Sequence, residues 1–97
     1  MAGWILKSSD PEMTLRLPAN GIKTIGRSAR AEFIVEAALV SRLHCRLTTD
    51  DEAGTLLVED LESTNGIFVN GAKTDRAHLA AGDVLSVGRV DFSVQQS

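Results

Sequence analysis

The stretch Ser41-Arg42-Leu43-His44-Cys45-Arg46-Leu47 sets the fold class. Leu43, Cys45 and Leu47 alternate with His44 and Arg46, and a period of two over five residues marks a strand with one buried face. On that phase Leu43 faces a core and His44 faces away from it. Ser41 and Arg42 sit in the loop ahead of the strand. The same alternation returns at Met13, Leu15 and Leu17 against Thr14 and Arg16, and at Val90, Phe92 and Val94 against Asp91 and Ser93. Short apolar or β-branched runs at Trp4–Lys7, Lys23–Ile25, Phe33–Val35, Leu56–Glu59, Ile67–Val69 and Val84–Val87 fit further strands.

Turn-prone clusters separate these runs: Ser8–Pro11, Pro18–Gly21, Asp50–Gly54, Ser63–Gly66, Asn70–Gly71 and Gly82–Asp83. Ala29–Val40 is alanine-rich, but Phe33-Ile34-Val35 inside it reads better as a strand. Asp75–Ala81 could make one or two turns of helix, too few for a lone helix to be stable. Many short strands with turns between them predict an all-β fold, a two-sheet antiparallel β-sandwich. No repeat, linker or boundary divides the 97 residues, so residues 1–97 are expected to form one domain. Trp4, Phe33, Phe68 and Phe92 are expected in the core. In a sandwich, chemistry then falls to the loops at one end.

Composition narrows the function. The chain has 43% hydrophobic and 24% charged residues and a net charge of −3, which fits an ordinary folded domain. Its longest apolar run is Ala37–Val40, too short to cross a bilayer. Cys45 is the single cysteine, so no internal disulfide forms, and an intracellular setting, nuclear or cytoplasmic, is the expectation. Charge is unevenly placed: residues 23–46 carry five basic and two acidic groups inside an otherwise acidic chain. One basic patch on an acidic body suggests a local anion site and argues against a nucleic-acid track. With four aromatic residues in all, base stacking has little to work with.

Three motifs could build that site. Gly26-Arg27-Ser28 follows a strand, and the Arg27 guanidinium is a rigid fork of donors suited to phosphate or carboxylate. Ser41-Arg42-Leu43-His44 offers a hydroxyl, a backbone N–H and a second guanidinium, with His44 as a hydrogen-bonded structural residue. Ser63-Thr64-Asn65-Gly66 is a dense cluster of neutral hydrogen-bonding groups, more than one turn needs. Asn70-Gly71 is read as a plain hairpin turn.

In this order, with Leu79-Ala80-Ala81-Gly82-Asp83 leading into Val84–Gly88, the motifs resemble the forkhead-associated (FHA) domain over Trp4–Val94. The resemblance implies a sandwich of about eleven strands and recognition of phosphothreonine-containing protein segments by loops at one end. It implies phosphopeptide-binding roles for Arg27, Ser41, Arg42, Thr64 and Asn65. Asn65 would hold the ligand main chain just after the phosphothreonine. Gly26, His44, Ser63, Gly66 and Asn70 would shape the loops. No catalytic residue, metal or cofactor is implied, and the domain is expected to be monomeric or part of a larger signalling protein, with no membrane or nucleic-acid partner. A DNA-damage pathway is one context the family serves. The apolar Ala37–Val40 suggests a mild preference for an aliphatic residue three places after the phosphothreonine.

The chemistry suits a phosphothreonine independently. A phosphorylated side chain carries about −1.5 to −2 charges and three acceptor oxygens. Charge-assisted bonds worth about 1.5–3 kcal/mol each, less ordering and desolvation, predict roughly micromolar binding. Other readings are weaker. An enzyme would pair Ser41 with His44 and Asp60 or Asp83, but no nucleophile elbow is present. A metal site would need His44, Cys45 and His78, yet adjacent residues of a strand point to opposite faces. A phosphate-independent binding or dimerisation domain is the main alternative.

Overall fold

The first two strands show how the sequence pattern becomes structure. β1 (Trp4–Ser9) and β2 (Glu12–Leu17) pair antiparallel with Leu6 opposite Leu15, and the alternating apolar residues point to one side. The computed structural model describes residues 3–97. The chain continues through β3 (Gly21–Gly26), β4 (Phe33–Ile34), β5 (Cys45–Asp50), β6 (Thr55–Asp60), β7 (Ile67–Val69), β8 (Ala72–Thr74), β9 (Arg76–Leu79), β10 (Val84–Val87) and β11 (Val90–Gln96). One sheet has the order β2-β1-β11-β10-β7-β8 and the other β4-β3-β5-β6-β9. Pairing is antiparallel except between β3 and β4, which run parallel.

The two inner faces supply the core. Leu6, Phe92 and Leu85 come from the six-stranded sheet, and Ile25, Leu47 and Leu56 from the five-stranded one; all are fully buried. Each such side chain contributes on the order of 1.5–3 kcal/mol by leaving water. Trp4 and Phe92 lie in the core as expected, but Phe33 and Phe68 are only half-buried.

The stretch left open to a turn or two of helix is extended: residues 76–79 form strand β9, with Leu56 opposite Leu79 and Glu59 opposite Arg76. The open edge of β6 offers this segment a full set of backbone partners, which outweighs a helix too short to sustain itself. The phase at Leu43–His44 is reversed: Leu43 is exposed, and His44 and Cys45 are both fully buried. β5 begins only at Cys45, so His44 lies ahead of the regular strand. There its N–H bonds the Ile25 carbonyl at 2.8 Å while its ring turns inward. The short β8 was not foreseen either. It follows from the Asn70-Gly71 turn, whose φ values of 51° and 85° fold β7 back on the next three residues.

Candidate functional site

The loops β3–β4, β4–β5 and β6–β7 meet at one end of the sandwich, and backbone pairing draws the first two together. Arg27 N–H donates to the Ser41 carbonyl at 2.9 Å, and Ser28 N–H to the Arg42 carbonyl at 3.2 Å. Gly26 makes this approach possible, because a Cβ there would collide with the Arg42 carbonyl. The Ser28 hydroxyl accepts from the Arg30 N–H and shapes the turn that follows Arg27. Arg27 is exposed, and among the described residues its guanidinium has no partner.

His44 ties the other two loops to each other. Its Nδ1 accepts the Ser41 N–H at 3.0 Å, and its Nε2 lies 2.7 Å from the Gly66 carbonyl. These partners assign the tautomer: Nδ1 is bare and Nε2–H donates. Both ring nitrogens therefore engage backbone groups, and neither serves the Ser41 hydroxyl as a base. That geometry differs from a serine–histidine dyad.

The β6–β7 loop is braced from within. The Asp60 carboxylate accepts from both the Ser63 hydroxyl and the Ser63 N–H, and the Ser63 oxygen accepts the Gly66 N–H at 2.8 Å. Gly66 has φ 77°, and the ammonium-bearing end of Lys73 crosses its open side. So braced, the loop presents Thr64 and Asn65 to solvent. The Thr64 N–H donates to the Ser41 oxygen at 3.1 Å. That hydroxyl, already accepting, keeps its proton to donate to an anion. Asn65 donates through Nδ2 to the Leu39 carbonyl at 2.9 Å, which leaves its Oδ1 and second N–H for a ligand main chain.

Arg27, Ser41, Thr64 and Asn65 thus line one open recess of about 290 Å³, walled by Leu39 and Val40. Arg42 is exposed beside Ser41 but outside that lining, and its guanidinium has no partner among the described residues. Gly26, His44, Ser63 and Gly66 occupy the framework around the recess. Asn70 stands apart. It clasps the β9–β10 turn, donating to Asp83 at 3.0 Å and accepting the Val84 N–H at 2.9 Å. The Ala80 N–H and then the Asn70 amide hold the Asp83 carboxyl below its ordinary value. Burial first, and Asp60 second, push the Cys45 thiol well above the ordinary range, so it stays protonated.

The recess continues past Leu39 and Asn65 into a second one of about 280 Å³, bordered by Phe68, Gly88 and Arg89. Gly88 is needed there, since a Cβ would meet the Leu39 backbone. The sequence points to neither Lys73 nor Arg89, offers Asp60 only as part of an enzyme's triad, and places Phe68 in the core. Their spacing carries no sign of the site, because they reach it through strand pairing and loop packing.

The family model described as FHA domain matches residues 23–88. The ABC transporter ATP-binding/permease protein Rv1747 of Mycobacterium tuberculosis is 37% identical over 80 residues, 82% of this chain and 9% of that protein. The FHA domain-containing protein FhaA of the same organism is 37% identical over 75 residues, 77% of this chain and 14% of that protein. The chain thus spans a small fraction of the length of the curated relatives it matches. A solved structure from work on phosphothreonine-dependent FHA domain interactions is similar at TM-score 0.87 and 34% identity, covering 96% of this chain and 95% of that one.

Proposed function

The chain belongs to the FHA domain family, and on that premise we propose that its loop end binds phosphothreonine in partner proteins within kinase signalling. The observation that carries this reading is the convergence of Arg27, Ser41, Thr64 and Asn65 on one recess, each with a donor left free. Arg27 and the Ser41 hydroxyl take phosphate oxygens, with the Thr64 hydroxyl beside them. Asn65 holds the ligand main chain after the phosphothreonine, and Arg42 reaches the phosphate or a ligand carbonyl from the rim. The domain docks a mark without transforming it, since His44 is committed to backbone and leaves Ser41 without a base.

The 97 residues act as one domain, supported by a single core shared by both sheets. Among the described residues no helix is long and apolar enough to cross a membrane. The mild aliphatic preference three places after the phosphothreonine rests on the exposed Leu39, which borders both recesses, and on Phe68 across the second one. An oriented phosphothreonine peptide library checks that preference, and strong enrichment of aspartate or glutamate at that one position overturns it.

The test of the function is a pull-down from lysate with and without phosphatase, followed by calorimetry on the captured segment. Capture is expected only without phosphatase, with roughly micromolar affinity. Equal capture in both arms, unchanged by Arg27→Ala, would establish a phosphate-independent binding module instead.

A further inference from the structure

Arg89 borders the second recess, Lys73 stands beside its Phe68 wall, and the phosphate site uses neither. Phe68 pairs directly with Lys73 on β8 and with Ser86 on β10, so these side chains stand on the same outer face of the six-stranded sheet. The Lys73 stem then lies across Gly66, with Nζ 3.6 Å from where a Cβ on that glycine would stand. This places the ammonium beside Asn65-Gly66, on one side of Phe68. Arg89 borders the recess on the other side, at the tip of the β10–β11 turn. It holds a left-handed backbone conformation with φ 70°, uncommon for arginine, that fixes where its side chain departs. Both residues are exposed, and neither has a partner among the described residues. Arg89 also borders a smaller cleft with Asp10 and Asp91, but the Asp91 carboxylate accepts from the Ser86 hydroxyl at 2.6 Å.

From this arrangement we infer that Lys73 and Arg89 form a second anion subsite, which selects phosphothreonine ligands carrying a negative group beside an apolar residue downstream of the mark. The inference rests on the proposed phosphothreonine site, because Asn65 and Leu39 border both recesses and lead the ligand from one to the other. An aromatic floor with a cation on each side suits an apolar side chain with an anion next to it. An apolar residue alone would leave both cations idle, and an acidic residue alone would leave Phe68 uncovered. The body of the protein is acidic, with a net charge of −3, so bulk attraction does not favour such a ligand. Aspartate, glutamate or a second phosphorylated residue supplies the anion, and the peptides below distinguish carboxylate from phosphate.

The test uses the whole chain and a fluorescent phosphothreonine peptide with a leucine three places after the mark. One set keeps that leucine and places a single aspartate at each of the other four of the first five downstream positions in turn. A second set places a phosphoserine there, a third glutamine, and a fourth puts the aspartate upstream. One or two adjacent downstream positions are expected to tighten binding about two- to fivefold over glutamine with aspartate, the range of exposed ion pairs, and more with phosphoserine. A gain from phosphoserine alone would identify the ligand as doubly phosphorylated. In Lys73→Met/Arg89→Asn, which keeps a stem over Gly66 and a residue tolerant of the left-handed turn, the anion-to-glutamine ratio is expected to fall to about one. Three results overturn the subsite: no gain downstream, an equal gain upstream, or a gain that survives the double variant. If phosphate dependence persists in those cases, the phosphothreonine reading stands without it. If the unphosphorylated glutamine peptide binds as well as the phosphorylated one, both readings fall.

Discussion

Replacing His44 with alanine removes the fully buried side chain that ties the β4–β5 and β6–β7 loops together through both of its ring nitrogens. The ring is fully buried and bonds the Ser41 N–H at 3.0 Å and the Gly66 carbonyl at 2.7 Å. Gly66 is itself buried, so its carbonyl would lose its donor away from water, at about 1–3 kcal/mol. The space left by most of an imidazole adds about 2 kcal/mol. The sum, about 3–5 kcal/mol, is a large share of the roughly 5–15 kcal/mol that holds a domain folded. At about 4 °C or more per kcal/mol for a domain of this size, Tm should fall by about 12 °C or more. Ser41 and Thr64 would also lose their relative placement, so phosphopeptide affinity should drop even below the new Tm. Urea unfolding gives the stability loss, and calorimetry with a phosphothreonine peptide at 10 °C gives the binding loss. A stability change under about 1 kcal/mol together with unchanged affinity would refute the view that His44 couples the loops.

Further outcomes follow from the same geometry. Gly26→Ala should lower stability and weaken phosphopeptide binding together, because its Cβ meets the Arg42 carbonyl; equal stability by thermal melt would show that the loop yields freely. Arg27→Ala and Ser41→Ala should each weaken binding at least about tenfold, one charge-assisted bond's worth, with the fold intact. Unfolding of Arg27→Ala, seen by circular dichroism, would mean that its role is scaffolding. Cys45 should resist a thiol reagent in the native state and react at once in denaturant, since burial keeps it protonated and out of reach; fast native labelling contradicts that. The Asp83 carboxyl sits below its unfolded value, so it stabilises the fold above about pH 4. That contribution is lost as pH falls through the lower folded value. Asp83→Asn should flatten this acid limb in pH-dependent melts, and an unchanged slope there would assign the limb to other groups.

The strands were legible because their information is local. Period-two alternation at Met13–Leu17 and Val90–Val94 reports a buried face wherever the partner strand lies, and Asn70-Gly71 reports its own turn. The order of Gly26-Arg27, Ser41 and Thr64-Asn65 identified the loop end that would carry chemistry. Tertiary structure decided the rest. Residues 76–79 are extended because β6 has an open edge. His44 faces inward because two loops need a bridge between backbone groups 25 residues apart in the chain, Ser41 and Gly66. Lys73 and Arg89 reach Phe68 through strand register and a left-handed turn, and no spacing in the chain encodes their meeting. Alternation along a strand depends on neighbours one and two residues away, whereas a site depends on which distant segments can exchange hydrogen bonds, and that is settled only when the sheets close.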